Sequence, residues 1–150
     1  MDGFVLREEE GEQINFRGTK MLKVSKDDSE GRYSLIEMTH PPSMGPALHI
    51  HPHAPEAYYV LEGEYSIQCN NRVYQVKAGD FVFIPKGCPH TYQSSPKGGK
   101  ALVISPAGLE KYFREVAHIL HIGHLTRELE KEIAYRYGQE FLDSLRHWGQ

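Results

Sequence analysis

Residues 45–63 read GPALHIHPHAPEAYYVLEG, and residues 79–94 read GDFVFIPKGCPHTYQS. The first stretch decides the fold. In an extended strand, side chains two apart leave the same face roughly 6.5–7 Å from each other, so His49 and His51 can converge on one ion. Pro52 and Pro55 forbid a continued central strand, and the chain must turn and re-enter at Glu56. Such a turn resets the facing parity, which lets Glu56 point toward His49 and His51, with Tyr58 and Val60 on its own face. In the second stretch a rigid Pro/Gly turn delivers His90 to the start of a strand, and Tyr92 and Ser94 go with it. Three neutral imidazoles and one carboxylate suit one divalent transition metal, and N and O donors of this kind do not choose among Fe, Mn, Ni, Co, Zn and Cu.

Outward from this cluster, residues 17–104 break into short β-branched and aromatic segments bounded by Gly, Pro, Asn or Asp, the pattern of an all-β sandwich or barrel. Candidate strands are 20–24, 33–39, 47–51, 57–62, 65–69, 73–77, 81–85, 91–94 and 101–105. Asn70-Asn71 suits a tight hairpin, Gly79, Gly87 and Gly98-Gly99 mark further turns, and successive strands are expected to pair antiparallel. After Ser105 the period becomes helical. Ser105-Pro106 can cap and start a helix over 106–122, with Leu109, Tyr112, Phe113, Val116, Ile119 and Leu120 on one face. Gly123 breaks it, Thr126 can cap a second helix, and the stripe Leu125, Leu129, Ile133, Tyr137 ends at Gly138. The expected organisation is a barrel over 1–105 with a helical extension over 106–150 packed on it, one domain in all.

The 150 residues are 39% hydrophobic, 25% charged and 11% aromatic, ordinary for a single globular domain. Seventeen Lys plus Arg against twenty Asp plus Glu leave a net charge of -3, which argues against nucleic acid and anionic lipid as partners. No apolar run approaches the roughly 20 residues of a membrane helix. The acidic N-terminus lacks the basic and apolar regions of a secretory signal, so a cytoplasmic location is expected. Cys69 and Cys88 are too few and too far apart for a disulfide framework or a CxxC pair and read as free thiols. His118, His121 and His124 have helical spacing, but Gly123 interrupts the series, so they read as surface or interface histidines.

These residues resemble the two motifs of the cupins. The first, Gly-x5-His-x-His-x3–4-Glu-x6-Gly, is met by His49, His51, Glu56 and Gly63, with Ser43 in place of its opening glycine. The nearest glycine, Gly45, is correctly spaced to a shifted pair, His51 and His53, but that pair leaves too few residues before Glu56. His49 and His51 are therefore preferred, and His53 reads as a loop residue. The second motif, Gly-x5-Pro-x-Gly-x2-His-x3-Asn, is met by Gly79, Pro85, Gly87 and His90, with Ser94 in the Asn place. The helical tail is similar to that of single-domain cupins like the quercetin dioxygenases. The resemblance implies an antiparallel jelly-roll barrel, a double-stranded β-helix, holding one metal through His49, His51, Glu56 and His90. It also implies Glu56 as both ligand and catalytic proton acceptor, and a dioxygenase-like reaction on a planar hydroxylated flavonol or enol.

Parity places Tyr58, Val60, Tyr92 and Ser94 in the substrate pocket, with Ala47 and one face of 33–39, and no Arg or Lys beside the ligands. Two other classes fit the same residues: a non-enzymatic cupin that senses or stores a small molecule or metal, and a metal-dependent isomerase or cyclase. A homodimer is expected, with residues 15–24 as a candidate edge, because small barrels often cover open edges with a partner.

Overall fold

The computed structural model describes residues 1–142, so the end of the segment expected over 106–150 lies outside the described residues. Its elements are β1 (Glu12–Asn15), β2 (Thr19–Val24), β3 (Ser34–His40), β4 (His49–Ile50), β5 (Glu56–Cys69), β6 (Arg72–Lys77), β7 (Phe81–Ile84), β8 (His90–Ser105), α1 (Leu109–Ile122), α2 (Arg127–Arg136) and β9 (Glu140–Phe141). The strands form an antiparallel β-barrel with C-terminal helices, as the patterning predicts. Successive pairing holds only for β1–β2–β3 and β5–β6. Elsewhere β8 joins β3, β4 and β5, and β5 also pairs with β7.

Two long strands carry the barrel, where the sequence pattern suggested four short ones. Gly98-Gly99 is not a turn, and no strand ends at Gly63. They lie where β5 crosses β8, with register shifts between Val60 and Glu62 and between Gly63 and Tyr65. Gly63 has φ +74°, and a Cβ there would stand 2.5 Å from the Gly98 carbonyl oxygen, so the crossing requires glycine. The inward positions of β5 change from Glu56, Tyr58 and Val60 to Tyr65 and Ile67 across this irregularity. A bulge inserts one residue and so reverses facing parity. One strand can therefore supply ligands at one end and core at the other.

Alternation along β3 buries Ser34, Ile36, Met38 and His40. The barrel core includes Ile36, Val60, Ile67, Ile84 and Val103, each worth about 1.5–3 kcal/mol on burial. Helix α1 closes one end with Leu109, Tyr112, Phe113 and Val116, and α2 adds Ile133 and Ala134. Helix α1 begins at Leu109 rather than at residue 106. Gly108 takes φ +92° and donates its N–H to Ser34 Oγ (3.0 Å), while Ser105 Oγ has no hydrogen-bond partner among the described residues and does not cap α1. Thr126 does cap α2, accepting from Leu129 N at 3.1 Å. Arg17 fastens α2 to the barrel through a two-pronged contact with Glu130 (2.8 and 3.0 Å), which also accepts from Tyr112 Oη at 3.0 Å.

Strands β1 and β9 escape the sequence reading. Because β1 covers β2, the outer strand is β1, and of the 15–24 segment only Asn15 lies in it. Cys69 and Cys88 are free thiols as read, but the fold brings them together, with sulfurs 2.7 Å apart. Among the described residues no helix is long and apolar enough to cross a membrane.

Candidate metal centre

The anticipated residues His49, His51, Glu56 and His90 meet. All four are buried, and one ligand atom from each lies within 4.8 Å of the others. Strand pairing sets His49 directly opposite His90, while the Pro52–Pro55 turn brings Glu56 back at the start of β5. Donors about 2.0–2.2 Å from an ion stand roughly 3–4.3 Å from one another, so small inward movements complete a coordination sphere.

Hydrogen bonds orient two of the rings. His49 Nδ1 donates to Ala47 O at 2.8 Å, and His90 Nδ1 donates to Cys88 O at 2.9 Å. Each bond fixes the tautomer that leaves an Nε2 lone pair for a metal. His51 supplies the test of fit. Among the described residues neither of its ring nitrogens has a hydrogen-bond partner although both are buried, and its Nε2 lies 3.3 Å from Glu56 Oε1 without bonding alignment. A buried imidazole without partners costs about 1–3 kcal/mol per orphaned group, a cost that coordination relieves. The four residues therefore could hold a metal ion, and their donor chemistry fits a divalent transition metal.

Charge states agree. Burial, then repulsion from His90 and His51, holds the His49 imidazole well below its ordinary range, in the neutral form a metal needs. Burial pushes the Glu56 carboxyl up, but the proximity of His51 and His90 outweighs it, and the group stays ionised. Glu56 Oε1 lies 3.2 Å from His90 Nε2 and accepts from Tyr58 Oη at 2.5 Å. Tyr58 is thus bonded to the candidate proton acceptor itself, and burial beside Glu56 keeps its phenol protonated.

The cluster opens into a cavity of about 50 Å3 that includes Tyr58 and Tyr92 in its lining. Val60 lies in a second, smaller void with Ile67 and Val103, and Ser94 is occupied with the backbone. Its hydroxyl donates to Pro41 O (2.7 Å) and accepts from Met44 N (3.0 Å), anchoring the loop before β4. Ser43, in the place of the motif glycine, keeps a left-handed φ of +55°. Gly45 meets a different need, because a Cβ there would lie 1.6 Å from the Tyr92 carbonyl oxygen.

Three contributions were missed. Arg17 and the buried Lys20 line the cavity, contrary to the expectation of no cation there. Lys20 shares the facing parity of Leu22, a signal the alternation of β2 does carry. Leu109, Tyr112 and Phe113 of α1 and Gln139 after α2 also line it, while β9 pairs Phe141 with His49. The tail therefore forms part of the site's wall. Behind Tyr92, His40 joins Tyr65 Oη (2.7 Å) and Tyr92 Oη (3.1 Å), and burial and Lys20 push it down to about 3, so it stays neutral. His53, His118, His121 and His124 are exposed and join no ligand cluster among the described residues.

Fold and site together define a β-barrel protein with a buried three-histidine, one-carboxylate centre. The chain belongs to the cupin superfamily: the family model described as a cupin domain matches residues 36–105. An uncharacterised protein of Methanocaldococcus jannaschii is 33% identical over 89 residues, 59% of this chain and 70% of that protein. Quercetin 2,3-dioxygenase of Bacillus subtilis is 24% identical over 114 residues, 74% of this chain but only 34% of the enzyme, so the chain spans about a third of that relative's length. Among solved structures, the polyketide cyclase RemF from Streptomyces resistomycificus aligns with a TM-score of 0.59 at 26% identity, covering 71% of this chain and 80% of the cyclase.

Proposed function

We propose that this protein is a metal-dependent enzyme that performs dioxygenase-like chemistry on a small, planar, hydroxylated molecule such as an enol or catechol-like ring. The observation that carries the reading is the environment of Glu56: two buried imidazoles within 3.3 Å of its Oε1 and the Tyr58 hydroxyl bonded to that same oxygen. His49, His51, Glu56 and His90 would hold one divalent ion, which supplies Lewis-acid activation of substrate oxygens. Glu56 accepts the substrate's hydroxyl proton, and Tyr58, donating to Oε1, fixes the carboxylate and stabilises its charge between turnovers. Tyr92, Tyr112 and Phe113 supply flat apolar walls and exclude water. A water needs about 10–15 Å3 by the same measure, so a cavity of about 50 Å3 favours a single ring over a polycyclic flavonol.

Likeness to a polyketide cyclase favours a second reading, metal-dependent cyclisation or isomerisation without dioxygen. Oxygen uptake by the metal-loaded protein over a panel of small enols and catechols tests the first, with Glu56→Gln as control. Uptake that vanishes in Glu56→Gln supports it. Product formed equally under argon supports the second, and tight binding with no product supports a sensor. The proposal includes a homodimer. Tyr59, Phe81, Phe83 and Ile104 stand exposed on adjacent strands of one outer sheet face, and apolar patches of this kind mark interfaces. Sedimentation velocity reads the outcome directly.

A further inference from the structure

Lys20 places a cation in the interior of the barrel. It is only 4% exposed, on the inward face of β2, and it lines the same cavity as His49, His51 and Glu56. Nζ donates to Phe16 O (2.5 Å) and Arg17 O (3.2 Å), and lies 5.0 Å from the centre of the Phe113 ring. An ammonium carries three N–H donors, so two carbonyls leave one over. Among the described residues no carboxylate stands within ion-pair distance of Nζ. Burying a cation without a counter-charge costs several kcal/mol, and a methionine of similar length would fill the space without that cost. Gln139, also 4% exposed, lines the same cavity, and its carboxamide makes no hydrogen bond among the described residues. The cavity thus has two polar features, the ligand cluster and the Lys20 ammonium, with Phe16, Met38, Tyr92, Leu109 and Phe113 supplying apolar wall, and the β4–β9 pairing brings Gln139 to the ligand side.

We propose that Lys20 is a carboxylate-binding residue, and that the molecule taken by this site is a small carboxylic acid whose oxygen donors face His49, His51, Glu56 and His90. The inference rests on the metal-dependent reading above and narrows its substrate class. The carboxylate supplies the counter-charge the fold omits. Burial and the nearby Arg17 charge pull the Lys20 ammonium down to about 7, and a bound carboxylate draws it back to the charged form.

The test uses two probes with one chelating head, acetohydroxamate and malonomonohydroxamate, which differ by a carboxylate. Each is titrated into the Co(II)-loaded protein and followed by the visible cobalt absorption. The wild type should bind the carboxylated probe about 10- to 100-fold more tightly, the range of one charge-assisted hydrogen bond. Lys20→Met should abolish that preference while leaving acetohydroxamate affinity unchanged. Equal affinities in the wild type, or a preference that survives Lys20→Met, overturns the proposal. Failure to take up cobalt would instead refute the metal reading. A second arm then decides the lysine: malonate should raise the thermal midpoint of the metal-free wild type but not of Lys20→Met, and equal shifts in both overturn the assignment.

Discussion

Replacing Lys20 with methionine should stabilise the folded protein, and the gain should fade as pH rises. The folded-state value of about 7 lies far below the ordinary 10.5, a difference worth on the order of 4–5 kcal/mol at neutral pH. Between these values the unfolded chain holds a proton that the folded chain has released, so wild-type stability rises with pH by at most about 1.4 kcal/mol per pH unit from this group. Below about pH 7 both states are protonated and the full penalty persists. The variant removes the penalty but strands the buried carbonyl of Phe16, at about 1–3 kcal/mol, and also loses the longer bond to the part-buried Arg17 carbonyl. The net gain near pH 7 is then at most about 4 kcal/mol, or at most roughly 16 °C in Tm for a chain of this size. Urea unfolding of both metal-free proteins from about pH 6 to about pH 10 gives the stability difference at each pH. A difference that narrows above pH 7 is expected. A difference independent of pH would refute the assignment of a buried, uncompensated ammonium.

Tyr58→Phe removes the hydrogen bond at 2.5 Å that holds Glu56, and should lower metal affinity about 10- to 100-fold in a chelator competition without unfolding the protein. Unchanged affinity would show that Tyr58 does not position the carboxylate. Gly45→Ala places a methyl 1.6 Å from the Tyr92 carbonyl oxygen and should cost more than about 3 kcal/mol; a thermal midpoint within a degree or two of wild type contradicts the packing described. Mild oxidation should close a Cys69–Cys88 disulfide within one chain, since the sulfurs lie 2.7 Å apart. Non-reducing peptide mapping that finds only cross-linked dimers would contradict this proximity.

The four candidate ligands were legible because local rules sufficed: a period of two places His49 with His51, prolines force the turn to Glu56, and a Pro/Gly turn starts the strand at His90. The long strands were not, since Gly63 and Gly98-Gly99 look alike in sequence whether they end a strand or permit a close crossing. Only the Gly98 carbonyl against Gly63 distinguishes the two. Val60 and Ser94 were placed in the pocket by extending parity, but position along the barrel axis also matters. Val60 sits in the deeper void, and Ser94 is spent on the loop. Lys20, Phe113 and Gln139 reach the cavity from elements far apart in the chain, and nothing local to them predicts that meeting. Strand β9 is two residues long and is defined by pairing with β4.

The central claim is that His49, His51, Glu56 and His90 hold a metal. Elemental analysis of untagged protein purified without chelator, beside the His49→Ala/His51→Ala double variant, measures this before any substrate is chosen. About one equivalent of a divalent transition metal per chain in the wild type, lost in the variant, is predicted. No metal in the wild type, even after reconstitution with each candidate ion in turn, would contradict the account.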